Sequence, residues 1–218
     1  METPHRVRDG ARRVAPLAVA VGAFGVTYGV LAQASGFGPL ETLVFSATTF
    51  AGSAQFAVAG VISAGGTVAA AVLAAVMLNA RYLPIGLSVA PAMRGGRLER
   101  FLRAQLVVDE AWAVSHLGKG RYDAQLLLGA GLTLYLAWVL GTLLGVIGGD
   151  ALGNPKDLGL DAAFPALFLA LLAGQIKGRV GAVAAVLGAA VALVLVPFVP
   201  VGIPIVAAAV VCLLGARR

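Results

Sequence analysis

Charge is what this sequence has least of. Lys, Arg, Asp and Glu make up 12% of its 218 residues, against about 25% in a typical soluble domain. With 60% hydrophobic residues and a mean hydropathy of +0.94, that scarcity excludes both a soluble globular domain and a disordered tail. Cysteine is nearly absent. Cys212 stands alone in an apolar run, so no internal disulfide can form and packing is its expected role. Histidine occurs only as His5 and His116. No His-Glu-x-x-His pair, Cys/His cluster or Gly-x-Ser-x-Gly elbow exists, and Ser115 beside His116 would not face it on a helix. No phosphate-binding glycine loop is present, so neither a cofactor nor an ATP-driven cycle is expected. The chain is therefore not read as an enzyme. The net charge of +6 includes no basic patch interleaved with aromatics, and nucleic acid is not an expected partner.

What charge there is falls in blocks. Glu2 to Arg13, Arg94 to Asp123, Asp150 to Asp161, Lys177 with Arg179, and Arg217 with Arg218 hold all of it except Glu41 and Arg81. Between the blocks run uncharged stretches: Val14–Leu40, Thr42–Ala80, Tyr82–Met93, Ala124–Gly149, Ala162–Ile176 and Val180–Ala216. A membrane-spanning helix needs roughly 20 apolar residues. The pattern predicts an all-α, polytopic transmembrane bundle forming one membrane domain over 1–218. The basic N-terminus and Ala32-Gln33-Ala34 imitate a secretory signal, but the apolar run is too long for a signal core.

Arginine placement orients the chain, because cytoplasmic loops are enriched in Lys and Arg. Residues 1–13, the loop carrying Arg94, Arg97, Arg100 and Arg103, the Lys177/Arg179 turn and the Arg217/Arg218 end are expected inside. The Asp150–Asp161 loop is expected outside. This parity asks for four elements in a first half, 14–93, at about 15–35, 42–58, 60–78 and 82–93, or for a re-entrant pair in place of one span. It asks for four more in a second half, 124–218, at about 124–149, 162–176, 180–196 and 202–214. The total is about 7–8 membrane segments, with a basic loop and amphipathic segment at 94–123. An offset of 120 residues aligns Glu41 with Asp161, Gln55 with Gln175 and Pro84 with Pro204. That alignment suggests a two-fold internal repeat with broken helices, a transporter habit. Chance matching of Gly- and Ala-rich sequence is the alternative.

Three places could carry chemistry. Arg81, flanked by Asn79 and Tyr82, interrupts a long and otherwise apolar stretch. It is either an intramembrane carboxylate binder or a surface arginine snorkelling to water. The segment from Ser46 to Phe56 sets Thr49, Gly52, Ser53 and Gln55 inside a span. It serves either close helix packing or a loosened helix whose backbone and Gln55 amide hold a polar zwitterion. Asp109 and Glu110 follow the basic loop. Either they belong to a cytoplasmic amphipathic helix, paired with Arg103 or Lys119, or one of them is a titratable site on a helix dipping into the membrane, where His116 could join a relay.

Taken in order, these segments resemble the AzlC family of branched-chain amino-acid exporters. The matching residues are Phe50-Ala51-Gly52-Ser53-Ala54-Gln55-Phe56, Leu78-Asn79-Ala80-Arg81-Tyr82-Leu83 and Asp109-Glu110. Phe24-Gly25-Val26-Thr27-Tyr28-Gly29 and the run from Leu160 to Phe168 are similar to it too, so the resemblance covers nearly the whole chain. Tyr82 departs from the family, which commonly has His there. The resemblance implies a large permease subunit of the bacterial inner membrane. It would work with a small hydrophobic AzlD-like subunit to export valine, leucine and isoleucine. Thr49, Ser53, Gln55, Asn79 and Arg81 are the expected substrate residues, and Asp109 and Glu110 the expected coupling or gating pair. An importer of the same fold and a non-transporting scaffold subunit are the rival readings.

Overall fold

The computed structural model describes residues 6–149 and 178–199, with isolated positions at 169, 172, 173, 176, 203, 204, 207, 208 and 210. Among the described residues the architecture is helical, with one antiparallel bridge joining His116 and Tyr122. Helix α1, Val7–Ala34, is followed by α2, Pro39–Thr49, and α3, Gly52–Ser63. Helix α4, Val68–Asn79, leads into α5, Tyr82–Val89, and a 3-10 turn over Ala90–Ala92. The short helices α6, Arg97–Ala104, and α7, Asp109–Ser115, precede the long α8, Ala124–Gly148. Helix α9 covers Gly178–Leu195.

Local chemistry sets these bounds. Pro39 opens α2, where its missing N–H does no harm, and Glu41 lies in the first turn against the positive end of the helix. The Thr67 hydroxyl caps α4 by accepting from the Ala70 amide at 3.2 Å. Asp123 does the same for α8, accepting from Gln125 and Leu126. Between α2 and α3 the chain turns at Phe50, whose φ of 37° and ψ of 53° are left-handed.

Among the described residues three helices, α1, α8 and α9, are long and apolar enough to cross a membrane. The pair α4 and α5 makes a fourth if its 42° bend lies within one span. The bend has a cause in sequence: Pro84 offers no amide, and its ring crowds the Ala80 carbonyl four residues earlier. The expected segments 42–58 and 60–78 are redrawn. Their boundaries fall at Phe50–Ala51 and at the Gly65-Gly66-Thr67 turn, because apolar content does not locate a break and turn residues do. Most of the expected segments at 162–176 and 202–214 lies outside the described residues, as do the Asp150–Asp161 loop, Asp161 and Gln175. Much of the exposed surface of α4 and α9 is apolar. Val68, Val72 and Val76 on α4 are exposed, and Gly188 is the single buried residue of α9. Lipid suits such faces.

Helices α1 and α8 form the centre. They run parallel, so that Gly10 meets Leu126 and Ala130, Gly22 meets Gly141, Gly25 meets Trp138 and Thr142, and Gly29 meets Thr142 and Gly145. The sequence separation of the facing residues stays nearly constant, between 113 and 120. A Cβ added at Gly141 would fall on the Gly22 carbonyl, and one at Gly145 on the Val26 carbonyl. Small residues let the backbones approach and let dispersion act where lipid leaves little hydrophobic drive. Gly141→Val is therefore expected to abolish a sharp thermal transition, or to lower its midpoint strongly. Gly60→Ala, where a Cβ meets nothing within 4 Å, is expected to melt at or above the wild type, since Ala favours helix by up to about 1 kcal/mol. Scanning fluorimetry of the detergent-purified variants checks both.

Candidate functional site

Two interrupted helices and the start of a third converge on one point. Arg81 sits at the bend between α4 and α5, near the middle of Val68–Ala92, with helical φ and ψ of −59° and −25°. Ala80 and Arg81 form the turn between the two helices, whose axes bend by 42° there. The side chain crosses to α3, where Nη2 donates to the Ser53 hydroxyl at 2.9 Å. The same nitrogen pairs with the Asp109 carboxylate, the first residue of α7, at 3.1 Å. It also reaches the Tyr82 hydroxyl at 3.5 Å, and the guanidinium stands 5.2 Å from that ring's centroid. Asp109 thus pairs with Arg81 instead of the expected Arg103 or Lys119, and Arg103 pairs with Glu99.

All of these contacts run through one nitrogen. Nε is buried without a hydrogen-bond partner, and among the described residues no bond is made by Nη1. A guanidinium offers five donors in a planar fork suited to a carboxylate. Most of that fork is uncommitted here.

The break at Phe50–Ala51 is satisfied unevenly. On its α2 side, two carbonyls left over by the helix end are taken up by side chains. Tyr135 donates to Ala47 at 3.1 Å, and Gln105 donates to Thr48 at 2.9 Å. Ser46 and Thr142 bond at 2.8 Å and tie α2 to α8. On the other side, α3 begins with no side-chain cap. Its first amides and the positive end of its dipole lie beside Ser53 and Arg81, an arrangement that favours an anion.

Arg81, Ser53, Asp109 and Glu110 line a cavity of about 860 Å³ whose remaining walls are mostly aliphatic and aromatic, among them Phe24, Ile85, Leu134 and Trp138. Binding sites for small molecules are commonly of this size and character. Glu110 is an exposed residue, but protein around its carboxyl pushes its pKa above the usual carboxylate range, and the Asp109 carboxylate adds to the effect. His116 lies at the far end of α7, its ring 5.1 Å from that of Tyr122.

The other expected residues lie nearby but elsewhere. Thr49 and Asn79 line a second cavity. Gln55 lies in the wall of neither. It is fully buried, and both of its amide atoms lack a hydrogen-bond partner. Beside it stands Tyr28, on which Trp138 stacks; no site role was expected of either, and their hydroxyl and indole N–H also lack partners. The Tyr28 hydroxyl and the Gln55 side chain are neighbours without a hydrogen bond of ordinary geometry. Tyr28 stacks on Trp138 at 5.7 Å, and Phe56 meets both edge-on at 5.7 and 6.0 Å. The available signal was position: Tyr and Trp prefer the ends of membrane helices, and these two lie well inside α1 and α8.

Residues 16–152 match the family model described as AzlC protein. An uncharacterized membrane protein of Archaeoglobus fulgidus is 36% identical over 182 residues, covering 82% of this chain and 79% of its own. The inner membrane protein YgaZ of Escherichia coli is 26% identical, covering 78% and 74%. The branched-chain amino acid transport protein AzlC of Bacillus subtilis is 25% identical, covering 69% and 60%. No solved structure matches the chain.

Gln55 generates a stability test. A buried amide that is fully hydrogen-bonded loses about 1–3 kcal/mol when one side of its pairing is removed. An unpartnered amide has no bond to lose, and an apolar side chain of similar shape removes its desolvation penalty. Gln55→Met is expected to melt at or above the wild-type temperature in ligand-free detergent solution. A drop of several degrees would mean that the amide is bonded after all.

Proposed function

The chain belongs to the AzlC family, and from that premise we propose that it is a secondary transporter exporting branched-chain amino acids. The reading places it in the bacterial inner membrane with its N-terminus cytoplasmic, working with a small AzlD-like subunit and drawing on the proton gradient. The observation that carries it is Arg81 at the bend of a broken span, with most of its fork uncommitted and a largely apolar cavity before it.

An amino acid brings three demands, and the cavity meets each with a different group. Its carboxylate takes the open part of the Arg81 fork and the uncapped start of α3. Its ammonium takes the Asp109 carboxylate. Its aliphatic side chain lies against Phe24, Ile85 and Leu134. Arg81 is expensive to hold at bilayer depth without a counter-charge, and Asp109 supplies one in the empty state. A substrate carboxylate takes over that duty and loosens the Arg81–Asp109 pair. Asp109 then turns to the ammonium or to a proton, which is a physical route by which substrate and proton could be exchanged. Glu110, in the same wall, is a second carboxyl for that exchange.

Radiolabelled valine efflux from cells expressing this chain, alone and with the small subunit, tests the reading. Arg81→Ala is expected to reduce efflux at least about tenfold, near 1.4 kcal/mol of lost binding or barrier lowering, while membrane insertion stays normal. Arg81→Lys keeps the charge and loses the fork, and is expected to fall between the two. Near-normal efflux from Arg81→Ala would remove that residue from the site. Asp109→Asn, which removes the charge facing Arg81 and the ammonium, is expected to weaken efflux and to abolish its acceleration by a pH gradient. Efflux unchanged after collapse of both pH gradient and potential would rule out proton coupling.

A further inference from the structure

A second cavity of about 700 Å³ adjoins the first, and Phe50 and Tyr82 belong to the walls of both. These two aromatics stand at the two helix breaks. Phe50 is the left-handed residue between α2 and α3, its ring edge-on to Tyr135 at 5.1 Å. Tyr82 opens α5 directly after the bend. The polar lining of the second cavity comprises Thr49, Asn79, Arg97, Arg100 and Gln105, as well as Tyr82, and contains no carboxylate.

The arginines of α6 are not equivalent. Arg103 is spoken for, pairing with Glu99 and donating to the Arg94 carbonyl at 2.9 Å. Arg97 and Arg100 line the cavity, and their side chains make no ion pair or hydrogen bond among the described residues. The positive-inside bias asks only that arginines lie on this side of the membrane. It does not ask two of them to line a cavity unneutralised while a third is paired. Asn79, in the same lining, has a buried side-chain oxygen with no partner. Gln105 is already engaged on the Thr48 carbonyl. Two unpaired cations and an uncommitted acceptor form the complement of a zwitterion.

We propose that this second cavity is an antechamber in which Arg97 and Arg100 capture the substrate's carboxylate before it passes the Phe50–Tyr82 wall to Arg81. The inference rests on the reading of Arg81 as the substrate site, and it adds a first, outer binding step on the face that carries α6. Electrostatic focusing in a cleft lined by one sign of charge raises the local concentration of an oppositely charged ligand. Two arginines outside and one inside then set a sequence of carboxylate positions along the path.

Gly86 offers a probe, because it lines the antechamber and a side chain there meets nothing within 4 Å. In the full chain reconstituted in liposomes, with Cys212→Ser and Gly86→Cys, the thiol is reacted with anionic and cationic methanethiosulfonates. After correction for their rates with free cysteine, the anionic reagent is expected to be favoured about tenfold. Arg97→Gln with Arg100→Gln should bring the ratio near one, and Arg103→Gln should leave it unchanged. Valine should slow labelling, and isobutylamine, which lacks the carboxylate, should not. Equal ratios with and without the two arginines, or no reaction with either reagent, would overturn the antechamber. An anionic preference that depends on both arginines, with protection by acetate but none by valine, would uphold the anion site and overturn the amino-acid reading instead.

Discussion

The close approach of α1 and α8 is the constraint from which the site follows. Gly22, Gly25 and Gly29 on one helix, with Gly141 and Gly145 on the other, bring the two backbones together without intervening side chains. Side chains at the edges of this seam are thereby forced into fixed places. Tyr28 stacks on Trp138, and Phe56 of α3 packs edge-on against both. The Trp138 ring then lies over Gly52, where a Cβ would come within 2.9 Å of it. Helix α3 can begin where it does because its first residue has no side chain. Ser53 follows at once, and Ser53 is what Arg81 reaches. A chain of close contacts thus runs from a glycine seam to the cation in the cavity.

The second constraint is the treatment of backbone groups at helix breaks. In a bilayer, unsatisfied amides and carbonyls are tolerated only where protein or a cavity meets them. Carbonyls at the end of α2 are met by Tyr135 and Gln105, so that end is closed to a ligand. The start of α3 is left uncapped beside Arg81. The asymmetry gives the break a polarity, with its negative end capped by protein and its positive end open to the cavity. An anion is the ligand such a break accepts.

Much of this was legible from residue types and little of it from their numbers. Arg81 was visible because an arginine in apolar sequence has few structural excuses, and Pro84 marked the bend beside it. The Ser46–Phe56 segment announced a weak helix through its hydroxyls and Gly52. The exact break was hidden because Phe50 is not a residue that sequence reasoning places in the left-handed region. Asp109 was legible as a carboxylate, but its partner was not, since Arg81 is far away in sequence and Arg103 is near. Gln55 shows the opposite outcome. Its amide was legible as a polar group in an apolar span, and the fold buries it next to Tyr28, in the wall of neither cavity. The α6 arginines read as topology markers, because charge alone does not distinguish an arginine over lipid from one over a cavity.

The Arg81–Asp109 pair is better suited to exchange than to stability. Both side chains remain partly exposed, at 37% and 41%, and exposed pairs contribute about 0–1 kcal/mol. A fold that needed the pair for strength would bury it and saturate the fork. Here Ser53, Asp109 and Tyr82 share one nitrogen, and Nε is left without a partner. Strong pairing would hold the site shut, while absence of pairing would leave an arginine uncompensated in the membrane. A single-nitrogen contact lies between these limits. It neutralises the cation, and on the proposed reading an incoming carboxylate that engages the rest of the fork replaces it with little loss.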